Sequence, residues 1–588
     1  MKKSASSIFL AFLVAAALVG RSLSSDTGSR TAAGAGKESF DDGDRPNIVF
    51  LVVESTDGRT WQRGYSNDAI PLPNMRDLED RGATSFYRHY SNAPVCCPSR
   101  ATFWSGRHAH HIRHMHHGIE VDGAYNNYEG LPANFSDRID QVLSRSGYDT
   151  LVSGKRDWDS GSHSENVYLN AWTMYSQFPY NVSANGGWRD ENPWCRDNGT
   201  VLPGNKSAHE GDWKVLRNTT AWIRDHSGDK PFFVYQGMNI VHPPYVTSEE
   251  YYDMIDPDKV DVPEWPPLES LHPCDLQSSM LKGCLPTDEE ADEFYSVKRR
   301  RNIRRIYYAM IAEFDRMVGE YVAAVRDAGV EDNTVFVITS DHGDMNMIMQ
   351  QHYKMVPREG SASVPMIIFD GRAARGKNRV VREPTQLIDI MPTMLEIARV
   401  DEKSYPPGLD GYSLVPLLAD RPAQDDTTSA RPLFVVSQFH GDNIAMSWFS
   451  VVQGVQCLGD QTCMMKLIKW GTGKEVPDQL FDLSHDPDES RNLIDNPDFR
   501  SIAEELEASL RSVIDYPSVA MDVAHYGKES FEWWVNKTGS AWKKEIHKEG
   551  LRWTQSWDWN VSGSFGALAE WRANPPRILP CRASLTFP

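Results

Sequence analysis

The sequence predicts an α/β protein with a buried, mostly parallel sheet, followed by a smaller second domain. Three nearly continuous apolar runs support the sheet: Asn47 to Val53, Pro231 to Tyr235 and Thr334 to Ser340. Such runs are typical of strands that are buried on both faces. The 588 residues are enough for two domains, and the composition changes near residue 405, where Pro- and Gly-rich connectors precede shorter strands.

The first 45 residues are predicted to be targeting sequence and linker. Met1-Lys2-Lys3 precedes an apolar run from Ile8 to Gly20, which is too short for a comfortable membrane span and is followed by small residues. We therefore expect a secretory signal peptide at 1–24 and a disordered leader at 25–45. The alternative is an uncleaved anchor. Since no other long apolar run follows, we expect no stable membrane insertion after signal removal.

Secretion agrees with the sequons and the cysteines. Asn-x-Ser/Thr sequons, which are acceptors for N-glycosylation, begin at Asn134, Asn181, Asn198, Asn205, Asn218, Asn536 and Asn560. In an oxidising compartment, Cys274–Cys284 and Cys457–Cys463 are the expected short-loop disulfides. The formal net charge of −20 argues against nucleic acid as a partner, and it means that an anionic substrate needs a local basic site.

The stretch Cys96-Cys97-Pro98-Ser99-Arg100 has the chemistry of a reactive site. Pro98 disfavours helix at Cys97 and suits a first helical turn, so we expect a helix from Pro98. Cys96 would then lie near free backbone N–H groups that attract anions, and Arg100 adds a bidentate donor for a tetrahedral oxyanion. These features indicate a thiol-derived group acting on a phosphate-like or sulfate-like ester. A buried cysteine pair under a turn is the alternative.

Acidic residues follow two of the predicted strands. Glu54 and Asp57 come after the first strand, and Asp341-His342 follows the strand that starts at Thr334. In open α/β sheets, ligands bind outside the carboxyl ends of the strands, and hard cations prefer oxygen ligands. Both segments are therefore candidates for one cation site, although each alone would more often be a turn.

Cys96-x-Pro98-Ser99-Arg100 resembles the signature of the type I sulfatases, a family of the alkaline phosphatase superfamily. The resemblance runs from about Asn47 to Trp571. It is closest to the arylsulfatase K-like glucuronate-2-sulfatases, which share the Cys96-Cys97 pair, Trp265-Pro266-Pro267-Leu268 and a Trp-rich tail.

The resemblance implies an alkaline phosphatase-like architecture. A catalytic domain at 46–405 would hold a large mixed, mostly parallel sheet sandwiched by helices, one of them the amphipathic segment from Arg299 to Arg326. A smaller antiparallel sheet domain with a helix would occupy 406–515. The Trp-rich extension at 516–588 is expected to pack on the core, since Trp is highly buried on average.

The resemblance also implies the cofactors. In this family the signature cysteine, here Cys96, is oxidised by the formylglycine-generating enzyme to formylglycine (3-oxoalanine), and one Ca²⁺ binds at the two strand ends. The implied metal ligands in this chain are Glu54, Asp57, Cys96, Asp341 and His342. Glu54 stands where the family has Asp, and Ser55 replaces a second Asp, so Asp57 is a substitute ligand.

Basic residues in the family contact the sulfate. The matching residues here are Arg100, Lys155, His163, His242 and Lys354. The hydrated aldehyde has two hydroxyls on one carbon, so one attacks sulfur and the second then expels sulfate. The cation holds a sulfate oxygen. His242 is the expected proton donor to the leaving alcohol, with His163 or Lys354 as alternatives.

The expected function is therefore hydrolysis of a sulfate ester on a sugar. The resemblance implies the 2-O-sulfate of glucuronate in a glycosaminoglycan-type polysaccharide, and a place in the secretory pathway, either lysosomal or extracellular. One alternative is a phosphonate or phosphodiester hydrolase of the same superfamily. Another is a non-catalytic protein that binds sulfated glycans, which the Glu54-Ser55 pair motivates.

Overall fold

The computed structural model describes residues 45–548, together with residues 569 and 572–574. The gaps in the first range are 117–118, 126–129, 133, 160–194, 196–197, 227, 283, 285–290, 295, 374–377, 419–430, 441–446 and 458–460. The expected signal peptide, the expected leader up to residue 44, His163 and four of the tail tryptophans (Trp553, Trp557, Trp559 and Trp571) lie outside the described residues.

The strands of the described residues, in chain order, are β1 (Asn47–Val53), β2 (Thr84–Tyr90), β3 (Arg113–His116), β4 (Ile119–Asp122), β5 (Asp149–Gly154), β6 (Thr200–Leu202), β7 (Phe232–Gly237), β8 (Val246–Ser248), β9 (Thr334–Ser340), β10 (Ser363–Asp370), β11 (Arg379–Val381), β12 (Thr385–Gln386), β13 (Phe434–Phe439), β14 (Trp448–Gln456), β15 (Thr462–Trp470) and β16 (Gln479–Asp482). The large sheet has the order β11-β2-β10-β9-β1-β7-β5, with β12 beside β2. β10 runs antiparallel to β2 and β9, whereas the other pairs are parallel. The mixed, mostly parallel sheet is thereby confirmed.

The α-helices of the described residues are α1 (Pro73–Asp80), α2 (Cys96–Ser105), α3 (Ile139–Arg145), α4 (Glu210–Asp225), α5 (Glu249–Tyr252), α6 (Pro273–Leu281), α7 (Ala291–Phe294), α8 (Val297–Asp327), α9 (Glu359–Ala362), α10 (Ile390–Ile397), α11 (Val415–Leu418), α12 (Arg500–Val513), α13 (Tyr516–Thr538) and α14 (Trp542–Lys548). No helix within the described residues is long and apolar enough to cross a membrane.

Strand β1 lies in the middle of the large sheet and is buried along its whole length. Alternate side chains point to opposite faces of a strand. Val49 and Leu51 pack with α8 on one face, while Ile48 and Phe50 pack with α2 and α10 on the other. Helices therefore cover both faces, which explains why the run is continuously apolar rather than alternating.

The small sheet is antiparallel, in the order β13-β14-β15-β16. Its core includes Phe449 and Leu467, and α12 covers it with Leu506 and Leu510. Residues of α13 belong to the same core. The antiparallel sheet with a helix, predicted as the second part of the fold, is thus confirmed.

A buried lysine links the small sheet to the segment before β10. The Lys466 Nζ on β15 lies 2.8 Å from Glu359 Oε1 and 3.0 Å from Glu489 Oε1, and the Lys466 side chain is fully buried. Tyr90 Oη on β2 donates to Glu359 Oε2 at 3.0 Å. The charged cluster therefore couples the two sheets.

Replacing Lys466 with methionine is expected to lower the free energy of unfolding by about 3–5 kcal/mol, because two buried carboxylates lose their counter-charge. Urea unfolding followed by circular dichroism measures this change. Arg511→Met is the matched control, since it breaks the half-exposed pair with Glu507 and should change stability by less than about 1 kcal/mol. Equal effects of the two substitutions would contradict the interpretation.

The disulfides differ in part from the expectation. Cys457 pairs with Cys463 as expected, but Cys284 pairs with Cys195, with their Cα atoms 4.9 Å apart. The expected Cys274–Cys284 bond is wrong because Cys284 is bonded to Cys195, and a cysteine forms one disulfide at a time. Cys274 is itself disulfide-bonded.

Candidate active site

Helix α2 presents Cys96 at its first residue and is capped after Ser105 by Gly106, whose φ of 66° is left-handed. The helix thus begins two residues before Pro98, where we expected its start. Pro98 is tolerated there because the first four N–H groups of a helix have no partner within the helix. Cys96 and Cys97 are both buried, and neither forms a disulfide.

The carboxyl ends of β1 and β9 bring three further side chains to Cys96. The Cys96 Sγ lies 3.0 Å from Glu54 Oε1 and 3.7 Å from His342 Nε2. Glu54, Cys96, Asp341 and His342 are all buried, and their ligand atoms lie within 4.8 Å of one another. His342 Nδ1 is 2.9 Å from Gly343 O, an acceptor, so its Nε2 faces the group.

Arg100 lies one turn along α2 and joins the two carboxylates. Its Nη2 is 2.9 Å from Glu54 Oε2, and its Nε donates to Asp341 Oδ2 at 3.0 Å. Tyr235 on β7 accepts from Nη1 at 2.8 Å. The Arg100 side chain is fully buried, so its charge acts in a medium of low dielectric.

Lys155 enters the site from the end of β5. Its Nζ lies 2.9 Å from Glu54 Oε2 and 3.8 Å from Cys96 Sγ. The preceding Gly154 has a φ of 71°, and a Cβ there would lie 2.0 Å from the Gly237 carbonyl. Only glycine fits this turn, which explains the Gly-Lys pair in the sequence.

Lys354 approaches the same thiol from the loop after β9. Its Nζ lies 2.6 Å from Cys96 Sγ and 3.0 Å from His342 Nε2. Burial disfavours the charge of Lys354, but Cys96 and Glu54 outweigh it and raise the pKa of the lysine. Burial likewise raises the pKa of Glu54, but Lys155 and Lys354 hold that pKa well below its usual value. Glu54 and Lys354 are therefore both charged at mildly acidic pH.

His242 lies on the loop after β7 and contacts Tyr353. Its Nδ1 is 2.5 Å from Pro243 O, so this nitrogen carries the proton, and its Nε2 accepts from Tyr353 Oη at 2.5 Å. Burial and the charge of Lys354 lower the pKa of His242 to about 3. In this arrangement His242 is neutral, and its Nε2 has no proton to donate to an alcohol. Tyr353 was not predicted as a site residue from the sequence. The one signal for it in the sequence is its position directly before Lys354.

Asp57, the proposed substitute ligand, lies apart from this group. Its carboxylate binds the Arg59 side chain, with Oδ2 2.8 Å from Arg59 Nη2, and it also accepts from the Arg59 N–H. These contacts cap a short helical turn, so Asp57 does not join Glu54 at the thiol. The expectation that Asp57 replaces the missing Asp as a ligand does not agree with this geometry.

The four-residue group fits a hard cation. Two carboxylates supply oxygen, and the Ser55 Oγ next to Glu54 is buried without a hydrogen-bond partner among the described residues. Burial lowers the pKa of His342, but Asp341 and Glu54 raise it to about 9. A cation that binds the imidazole must therefore displace a proton, which makes its affinity pH-dependent.

Comparisons with known proteins show the family of the chain. The sulfatase family profile matches residues 46–400, and the profile described as N-sulphoglucosamine sulphohydrolase, C-terminal, matches residues 351–515. Arylsulfatase K of Canis lupus familiaris is 33% identical over 549 residues, which cover 90% of this chain and 93% of the relative. Arylsulfatase K of Homo sapiens is 32% identical over 557 residues, which cover 92% of this chain and 95% of the relative.

Solved structures show the same fold at low identity. The phosphonate monoester hydrolase of Agrobacterium radiobacter aligns with a TM-score of 0.58 at 22% identity, over 80% of this chain and 95% of its own. A 2-O GAG sulfatase aligns with a TM-score of 0.55 at 19% identity, over 81% of this chain and 93% of its own. From the profile match over more than half of its length and from these relatives, we conclude that the chain belongs to the sulfatase family and is a sulfuric ester hydrolase.

Proposed function

We propose that this sulfatase removes sulfate from a sugar with formylglycine derived from Cys96 and one bound Ca²⁺. One observation carries the proposal: the buried Cys96 Sγ lies within 3.8 Å of both Lys155 Nζ and Lys354 Nζ, and 3.0 Å from Glu54. A small anion at this atom would meet two ammonium groups at once. Simple burial of a cysteine pair does not require that arrangement.

We assign the site residues to three roles: binding of the sulfuryl oxygens, binding of the metal ion, and nucleophilic attack. Arg100, Lys155 and Lys354 would bind the sulfuryl oxygens and stabilise the charge that develops on them. Glu54, Asp341 and His342 would hold Ca²⁺, which supplies electrophilic activation of a sulfate oxygen and of the attacking hydroxyl. Formylglycine at position 96 would supply, as its hydrate, a nucleophile that can be regenerated.

The proton for the leaving alcohol is assigned to Lys354 rather than to His242. The charged Lys354 ammonium lies 2.6 Å from the reacting position, whereas His242 is neutral and accepts from Tyr353. His242 and Tyr353 would instead hydrogen-bond the substrate and shield the site from water. Conversion of Cys96 would require the formylglycine-generating enzyme in the secretory pathway, and the enzyme would act in the lysosome or outside the cell.

The proposed substrate is the 2-O-sulfate of glucuronate in a glycosaminoglycan-type chain. The similarity to arylsulfatase K over nine tenths of the chain supports this choice, as do the Cys96-Cys97 pair and Trp265-Pro266-Pro267-Leu268. Buried cations alone would also suit a phosphodiester, which is the second candidate, and the fold is shared with a phosphonate monoester hydrolase.

Disaccharides that carry one sulfate each are expected to separate these candidates. Release of sulfate from 2-O-sulfated glucuronate, at least about 100-fold faster than from a 6-O-sulfated glucosamine or from an aryl phosphodiester, would support the proposal. Ion chromatography of free sulfate and phosphate measures the rates. Preferred cleavage of the phosphodiester would contradict it, and saturable binding without turnover would identify a non-catalytic glycan-binding protein.

A further inference from the structure

Lys282 is a buried lysine just after α6 that the reaction as described does not use. Its side chain is 2% exposed, and its Nζ donates to the main-chain carbonyl of Lys354 at 2.6 Å. Among the described residues, no carboxylate lies within ion-pair distance of it. A buried ammonium without an ion-pair partner is costly, so this position calls for an explanation.

The loop that carries Lys354 has an unusual backbone. Six non-glycine residues between 346 and 355 have positive φ angles: Asn346, Met347, Met349, Gln350, Tyr353 and Met355. Each left-handed residue of this kind costs about 1–2 kcal/mol, so the surroundings must hold the loop in place. The conformation of Lys354 therefore depends on contacts from outside the loop.

Buried side chains supply several of those contacts, including Asp344, Arg304 and Lys282. Asp344 Oδ1 accepts from the N–H groups of Asn346 and Tyr353, at 2.8 and 2.9 Å, and Arg304 Nη1 donates to Asn346 O at 2.9 Å. In the described part of the chain, the hydrogen bond from Lys282 is the one that reaches the main chain of Lys354 itself.

We propose that Lys282 is a positioning residue for sulfate ester hydrolysis. It fixes the main chain of Lys354, so that the Lys354 ammonium stays beside residue 96, and it adds positive charge behind the sulfate pocket. The inference rests on the proposed role of Lys354 in binding sulfate.

The electrostatic surroundings of Lys282 give it a pH signature. Burial lowers its pKa to about 7, against the opposing charges of Asp344 and Asp275, and the charge of Lys354 lowers it further. Below pH 7 the ammonium is charged, and above it the neutral amine still donates an N–H but no longer attracts an anion. The KM for a sulfate ester should therefore rise as the pH increases through about 7.

Lys282→Met tests the proposal with a chromogenic aryl sulfate over pH 5 to 8.5. We expect kcat/KM to fall about 10- to 100-fold at pH 5.5, because a displaced catalytic group is costly. We also expect the change of KM near pH 7, called the pH 7 limb of the profile, to disappear. Ser278→Ala is the matched control. It removes a hydrogen bond from α6 to Gln351 of the same loop and should leave both the rate and the limb unchanged.

A double-mutant cycle separates positioning from a general loss of structure. If Lys282 acts through Lys354, then Lys282→Met should change kcat/KM little in a Lys354→Met background. A full additive loss would overturn the proposal, as would a Lys282→Met enzyme with the wild-type rate and limb. Should Lys282→Met not fold, Lys282→Gln replaces it, since glutamine keeps an N–H donor without charge.

Calorimetric binding of inorganic sulfate distinguishes this inference from the proposed function. Absence of turnover by the wild-type protein would count against the function alone, because sulfate binding can still be compared between variants. The inference predicts at least tenfold weaker sulfate binding by Lys282→Met at pH 5.5. Equal affinity of the wild type and the variant would overturn it.

Discussion

Replacing Cys96 with alanine is expected to lower kcat for sulfate ester hydrolysis about 10⁴- to 10⁶-fold, the range seen when a nucleophile is removed. The reason is geometric as well as chemical. Lys155, Lys354 and Glu54 all converge on the Cys96 sulfur, so a different atom elsewhere cannot use the same charges. Initial rates with an aryl sulfate measure the loss.

Cys97→Ala is the matched control, since Cys97 is also buried in α2 and outside any disulfide, whereas both lysine ammonium groups contact the sulfur of Cys96. It should retain turnover. Peptide mass spectrometry across both positions should find the aldehyde at residue 96 only. Wild-type protein from its native source that turns over with an unmodified Cys96 would contradict the nucleophile assignment.

The fold was predictable because its central strands are recognisable in the sequence as apolar runs. β1 and β9 are continuous apolar runs, and both are buried along their lengths. The antiparallel direction of β10 could not be predicted, because a strand buried on both faces has the same apolar sequence pattern in either direction. Cysteine spacing likewise predicted the wrong partner for Cys284, since its partner Cys195 lies 89 residues away in the sequence and short spacing cannot indicate it.

The candidate site was predictable where a motif fixes the backbone. Gly154-Lys155 and Asp341-His342 lie at strand ends, so their positions follow from the sheet. Tyr353 and Lys282 were not predictable, because their contacts come from a loop with left-handed residues and from a distant helix. Asp57 was predicted as a metal ligand from its residue type and its place after β1. Its carboxylate instead binds the neighbouring Arg59 side chain.

Glu54 is the residue whose replacement should have the second-largest effect. Its two oxygens contact Cys96, His342, Arg100 and Lys155, and its side chain is fully buried. Glutamine has the same shape but no charge. Glu54→Gln would therefore leave Asp341 as the one carboxylate among the four candidate ligands, opposite several buried cations.

We expect Glu54→Gln to lower kcat/KM more than about 100-fold and to abolish the rise in thermal stability that we expect calcium to give the wild-type protein. Asp57→Asn is the control, because the Asp57 carboxylate is bound by Arg59 and should not contribute to calcium affinity. Calcium titration by calorimetry at pH 7.5 gives the affinity, since Glu54 is ionised there and the proton of His342 is displaced more easily than at acidic pH. If Glu54→Gln bound calcium as tightly as the wild type while Asp57→Asn did not, the ligand assignment would be reversed.

If Glu54→Asp gave turnover to an otherwise inactive protein, the glutamate would mark a site that binds sulfated glycans without hydrolysing them.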